Sequence, residues 1–589
     1  MMRSRFFSKT IFVLAITFQI GSSGVDQFDH RTQPANIIAL GPGVRDAGLP
    51  FSSRYFFIFY REYKSIEIEM KPIENPYRLN AKKCYLWTKI LNETQFCVRL
   101  SKKNLESNHF DTLESFLDHV EFCDFDEPID SESNSIETFR YRMSIVLYSL
   151  YDQMECDQSY EIIVGVNNQI VYRQNLFENF ERILSEQCDC PLQDWYERMR
   201  CDSISNRLLQ QQIHRDLKSF GTEPIDFQFV LDEARKLFAN FTRTYAFCHY
   251  RIENNRPFKH CYGEYVGFSK FFDEILLSLL RKTTIPDVDL LVNLGDWPLS
   301  IHRHLNRLPI FSWCGSSDTY DIVLPTYELS ESILQHINQS PMQILNVFGH
   351  QTIKFDEKNN SLFWRGRDSN RARLRLIELA KLNPDRYDVA ITNFFFFRDE
   401  MHRYRSSREN QTYVSFLNFF NHRYQINLDG TVAAYRFPFL LAGTSLILKQ
   451  RSKYFEFFYD RFVKDQHYLE IKEDLSDLDD TLQQLIDGKI SLLHIKRMIW
   501  NSRITVLKHL LPSSIYCYYF EALRSYSKRL KRNEDFDNQR SLNEDFRKRN
   551  NLEPIQHQSQ SKQCDCLSAL ENRNIRSIPF SDAEHRVEL

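Results

Sequence analysis

The chain has 589 residues and a formal net charge of −3, so basic and acidic side chains nearly cancel. That balance gives no electrostatic case for nucleic acid or an anionic membrane as partner. The length has room for about three or four domains, and 13 cysteines suit an oxidising compartment.

At the N-terminus, Arg3, Arg5 and Lys9 flank an apolar run over residues 11–20, and Gly21, Ser22, Ser23 and Gly24 follow. A basic region, a short apolar core and small residues make a secretory signal peptide over residues 1–24. The run is shorter than the roughly 20 residues a membrane span needs. No later stretch is long and apolar enough either, so membrane insertion is not expected and the mature chain reads as soluble.

Residues 25–180 read as β. Short aromatic or β-branched runs at 54–60, 65–70 and 161–166 are separated by polar turns, the pattern of an Ig-like sandwich. The acidic stretch 124–137 reads as a solvated insertion. After Cys188, strands alternate with helices. Strands are predicted at 289–294, 309–313, 321–324, 362–364, 389–392 and 446–449, and helices at 269–282, 371–382 and 454–463. Alternation of this kind implies parallel sheets with covering helices. Helices dominate from about 475. A charged tail, 531–589, ends in Arg586-Val587-Glu588-Leu589, which has the shape of an endoplasmic-reticulum retrieval signal. With the leader, it points to the lumen of that compartment and to a retrieval receptor as partner.

The odd cysteine count leaves at least one thiol unpaired or bonded to another chain. Cys188-Asp189-Cys190 and Cys564-Asp565-Cys566 are spaced too tightly for the usual zinc pairs, which favours disulfides. Glycosylation sequons start at Asn92, Asn240, Asn338, Asn359 and Asn410.

Three stretches could carry chemistry. Asp296 follows the apolar run 289–294 inside Asn293-Leu294-Gly295-Asp296-Trp297-Pro298, at the carboxyl end of a strand, where ligands of α/β sheets sit. A carboxylate there can take a proton from an attacking alcohol; the spacing alone favours a strand-end turn Asp. Trp364-Arg365-Gly366-Arg367-Asp368-Ser369 runs on to Arg371 and Arg373. Ser369 is a suitable N-cap, and a helix N-terminus with guanidinium groups suits a diphosphate. The same arginines could also form a solvated helix face. The third stretch, 424–438, contains Asp429-Gly430-Thr431-Val432-Ala433-Ala434-Tyr435-Arg436, small residues that let backbone N–H groups approach a phosphate. Asp287-Val288-Asp289 mimics a metal motif but opens the strand that Asp296 closes, at the wrong end for the site. His302 and His304 read as surface residues.

Together with Pro309-Ile310-Phe311-Ser312-Trp313-Cys314-Gly315-Ser316, Asp321-Ile322-Val323-Leu324-Pro325-Thr326-Tyr327 and Ile391-Thr392-Asn393-Phe394-Phe395-Phe396-Phe397, these stretches closely resemble glycosyltransferase family 90, in family order over about residues 185–530. Within it they look like the KDEL-motif-containing protein O-glucosyltransferases. Leu40-Gly41-Pro42-Gly43 is similar to the start of the filamin-type repeat that precedes the transferase in that subgroup.

The resemblance implies a multidomain chain: a filamin-like β-sandwich, then a GT-B glycosyltransferase of two Rossmann-like halves, an acceptor-side half at 185–330 and a donor-side half with closing helices at 331–530. It implies inverting transfer of glucose from UDP-glucose to a serine of an EGF-like repeat, with no metal or other cofactor. Asp296 matches the family's base; Arg367, Arg373, Thr431, Val432, Ala433, Ala434, Tyr435 and Arg436 match donor-binding positions. The family's Pro-Trp before His467-Tyr468 is missing, and 487–512 diverges. A xylosyltransferase of the same family and a non-enzymatic lumenal binding module are the alternatives.

Overall fold

A computed structural model describes residues 195–239, 246–334, 344–350, 353–404, 414–531 and 540–555, and shorter segments between 37 and 176 that include eight strands. The leader, both Cys-Asp-Cys pairs, most of the acidic stretch and the retrieval tail lie outside the described residues, as do the sequons at Asn240, Asn338 and Asn410.

The N-terminal strands form two antiparallel sheets. One runs in the order Ile37–Leu40, Tyr55–Tyr60, Ile136–Tyr151, Tyr85–Ser101, Val120–Glu121; the other joins Glu67–Pro72, Tyr160–Val166 and Gln169–Leu176. Three of these strands fall on the runs read from alternation and aromatic content, and Phe57, Phe59, Met143 and Ile145 are buried.

Beyond residue 195 the fold is α/β with two larger sheets. The second is wholly parallel, in the order Tyr387–Asn393, Asn359–Arg367, His422–Asn427, Leu446–Gln450, Leu469–Ile471. Side chains alternate across it as a strand requires. Leu362 and Trp364 enter a core with Leu374, Ile377, Ile426 and Leu448, whereas Phe363 joins the core on the other side.

The first sheet departs from the fully parallel, Rossmann-like expectation. Its order is Ile322–Val323, Ile310–Ser312, Val288–Asn293, Phe247–Glu253, Arg256–Tyr262, Glu553–Pro554, and only the first three strands run parallel. The cause is local. Asn254 and Asn255 both take positive φ, 49° and 58°, a pair of left-handed residues that closes a tight hairpin matching strand twist. Cys248 and Cys261, directly opposite each other, staple the hairpin with a disulfide.

The segment 454–463 is another correction. Instead of a helix it forms the short strand Tyr454–Phe455, paired with Gly315–Ser316, and a 3₁₀ turn at Tyr459–Arg461. Phe455, Phe457 and Phe458 are set by close packing: Phe457 and Phe458 are buried, and the Phe455 ring lies against Gly315 so tightly that a Cβ there would fall 2.5 Å from it.

The last helices return to the first sheet. In the helix Pro512–Ser527, the hydroxyls of Tyr518 and Tyr519 donate to the carbonyls of Val323 (2.9 Å) and Pro325 (2.7 Å), and Tyr526 meets Phe311 edge-on. A disulfide links Cys517 of this helix to Cys201. The tail contributes the helix Arg540–Arg549 and the strand Glu553–Pro554 at the hairpin edge, so part of the charged tail is built into the fold.

Candidate active site

The strand Val288–Asn293 ends where its backbone turns away from the sheet, and side chains hold that turn. Asn293 accepts from the Gly295 N–H at 2.9 Å and donates to the Trp297 carbonyl (2.7 Å) and Ser312 (3.0 Å). Buried Asp321 accepts from the N–H groups of Leu299 and Ser300, both at 2.8 Å, and from Ser312 at 2.6 Å. Asp296 therefore sits on a loop fastened on both sides, at the carboxyl edge of the strand as the sequence implied.

Its carboxylate faces two elements. Thr431 Oγ1 donates to Oδ2 at 3.1 Å and the Tyr327 hydroxyl lies 3.5 Å from Oδ1. The Tyr435 hydroxyl and the Cys314 thiol each approach the Asp296 carbonyl at 3.5 Å. Burial raises the Asp296 pKa, while the bonds from Thr431 and Tyr327 pull it back. A carboxylate made more basic by desolvation suits proton abstraction near neutral pH. Beside it Trp297 is 44% exposed.

Thr431 belongs to the loop after the strand His422–Asn427, and that loop is clamped from beneath. Buried Arg373 donates to the carbonyls of Asp429 (2.7 Å), Arg367 (2.9 Å) and Leu428 (3.3 Å). Asn370 donates to the carbonyls of Asp429 and Gly430 and accepts from the Ala372 N–H. Asn370, not Ser369, is thus the N-cap of the helix Arg371–Leu382. A Cβ on Gly430 would stand 3.3 Å from Arg373 Nη2, which explains the small residue there.

Val432, Ala433, Ala434 and Tyr435 are buried, and Arg436 opens the helix Phe437–Ala442, donating to the Arg365 carbonyl at 2.5 Å. Burial and the nearby Arg436 pull the Arg373 pKa down to about 9, and burial lowers that of Arg436. Two desolvated guanidinium groups within electrostatic reach of each other favour an anion nearby. Arg367 is not one of this pair: its side chain is exposed, its charge reaches Tyr327, and its carbonyl is what Arg373 holds.

Tyr327, Cys314, Asp321, Asp368 and Asn370 were not singled out from sequence. Asp368 fixes the aromatic run by accepting from the N–H groups of Phe395, Phe396 and Phe397 at 2.8, 3.0 and 2.6 Å. Tyr327 had a signal, because Pro325-Thr326-Tyr327 follows the strand Ile322–Val323 at the same carboxyl edge as Asp296. Asp289 is committed elsewhere, paired with Arg251 at 2.6 Å and His249 at 2.7 Å, and Asp287 accepts from the Asn254 N–H.

Residues 205–580 match the model of glycosyl transferase family 90, well over half the chain. The chain belongs to glycosyltransferase family 90. It is 40% identical over 349 residues to protein O-glucosyltransferase 2 of Danio rerio, covering 59% of this chain and 67% of that protein. To protein O-glucosyltransferase 3 of Homo sapiens it is 36% identical over 391 residues, 65% of this chain and 73% of that one. To protein O-glucosyltransferase 1 of Mus musculus it is 24% identical over 368 residues, 58% and 91% of the two chains. Loop 293–300, the Arg373 clamp and loop 429–436 all fall within the family match.

Proposed function

We propose that this family 90 member is a protein O-glucosyltransferase that moves glucose from UDP-glucose to a serine hydroxyl of an EGF-like repeat in the endoplasmic-reticulum lumen. The names of the relatives support the reaction class. The observation that carries the site assignment is the 3.1 Å bond between Thr431 and Asp296, which brings the carboxyl edge of one sheet against the phosphate-type loop of the other. A GT-B transferase holds donor and acceptor between two such halves.

In this reading the serine oxygen attacks C1 of glucose from the face opposite UDP. The new O–C1 bond forms as the C1–O bond to the diphosphate breaks, inverting the anomeric carbon. The serine proton passes to Asp296, and the electron pair leaves with UDP. Arg436 and Arg373, together with backbone N–H groups of the loop, meet the charge growing on the diphosphate, so no metal is needed for that role. General-base assistance is worth roughly 10²–10⁴-fold.

The test uses the full chain, UDP-glucose and a folded EGF-like repeat. Mass spectrometry is expected to show one added hexose on a serine, with UDP released in equal amount. Transfer from UDP-xylose instead would make the chain a xylosyltransferase. Failure with both donors and every repeat would leave a binding module.

A further inference from the structure

Thr431 was grouped from sequence with the donor loop, yet its hydroxyl is spent on Asp296. We propose that Thr431 is a positioning residue for the base, carried by the donor loop, that fixes the Asp296 carboxylate and holds it ionised. The inference rests on Asp296 being the base.

The geometry supports it in three ways. First, an ionised carboxylate only accepts hydrogen bonds, so Thr431 must be the donor, and this bond favours the charged form that abstracts a proton. Second, the other side-chain approach, from Tyr327, is long at 3.5 Å, so Thr431 makes the shorter contact to the carboxylate. A carboxylate offers about four lone-pair sites, which leaves room for the serine hydroxyl. Third, the loop bearing Thr431 is held rigidly by Arg373 and Asn370. The bond from Thr431 therefore holds the Asp296 carboxylate from a fixed point.

The titratable groups interacting with Asp296 are Tyr327 from the helix Tyr327–Leu334, Tyr435 from the donor loop, and Cys314 beyond the strand Ile310–Ser312. Burial pushes all three upward, so all are neutral around neutral pH. Asp429 in the donor loop and Asp321 beneath the Asp296 loop are raised by burial to about 6 and also titrate on the acid side, so the limb is assigned to Asp296 by its response to substitution at Thr431.

The experiment compares full-length wild type, Thr431→Val, Thr431→Ala and Thr431→Ser, measuring kcat/KM against pH and UDP affinity by calorimetry. Val and Ala are expected to move the acid limb to higher pH and to cut kcat/KM about tenfold on its acid side, with a smaller loss on the plateau. UDP affinity is expected to stay within about twofold, and Ser to restore the limb. A limb that stays in place, or a loss carried wholly by UDP affinity, overturns the proposal. Asp296→Asn run alongside separates the two levels. If Asp296→Asn is inactive and the limb is unmoved in Thr431→Val, only the role of Thr431 fails; if Asp296→Asn is active, the base assignment itself fails.

Discussion

Replacing Arg373 with lysine separates a residue that shapes the donor loop from one that merely touches the donor. Arg373 is 5% exposed and binds three carbonyls, of Asp429, Arg367 and Leu428, at 2.7, 2.9 and 3.3 Å. A lysine ammonium is a point charge and cannot span the two segments those carbonyls belong to. A hydrogen bond from a charged donor is worth about 1.5–3 kcal/mol net. Losing two at the low end costs about 3 kcal/mol, which for a unit of about 350 residues lowers Tm by roughly 4 °C. Because the same loop carries Thr431 and leads to Arg436, UDP affinity is expected to fall about tenfold or more, and kcat with it. Differential scanning calorimetry of the ligand-free protein and titration calorimetry with UDP measure the two effects. Unchanged ligand-free stability with UDP binding abolished would refute the reasoning, because Arg373 would then act through the donor alone and not also as a clamp on the loop.

Other expectations follow from the same structure. Burial pushes the His509 pKa down from 6.5 to about 4; the unfolded chain therefore binds more protons between those values, and stability falls as pH drops through that window, by up to about 3 kcal/mol. In His509→Gln, unfolding measured across the window is expected to lose that part of the acid dependence, and an unaltered dependence would contradict it. Transfer is expected to persist in EDTA, since in the proposed mechanism guanidinium groups serve the leaving diphosphate; a loss restored by Mn²⁺ would move the mechanism to a metal. Deleting residues 586–589 is expected to send the protein into the medium, and equal retention of the truncated chain would remove the retrieval reading.

The parts of the site written into local sequence were legible. Asp296 stands out because a strand-end Gly-Asp-Trp-Pro turn places a carboxylate where α/β sheets bind ligands, and Gly430 because small residues follow a strand. What escaped depends on tertiary contact. Ser369 and Asn370 are both competent caps, and only the approach of the Asp429 and Gly430 carbonyls selects Asn370. Residues 454–463 have helix-like apolar spacing, but pairing with Gly315–Ser316 and burial of adjacent phenylalanines override it. The antiparallel hairpin did carry a signal in Asn254-Asn255, two residues that tolerate positive φ between strand-like runs. No short-range pattern could reveal that Glu553–Pro554 extends the first sheet or that Thr431 meets Asp296, since those partners are far apart in sequence.

The central claim is that Asp296 is the base, and Asp296→Asn tests it most directly. The amide keeps the size of the carboxylate and can still accept from Thr431, but it cannot take up the serine proton. Single-turnover transfer from UDP-glucose to an EGF-like repeat is expected to fall about 10²-fold or more, with UDP affinity nearly unchanged. Near-normal turnover in Asp296→Asn would place the base on another residue and contradict the account.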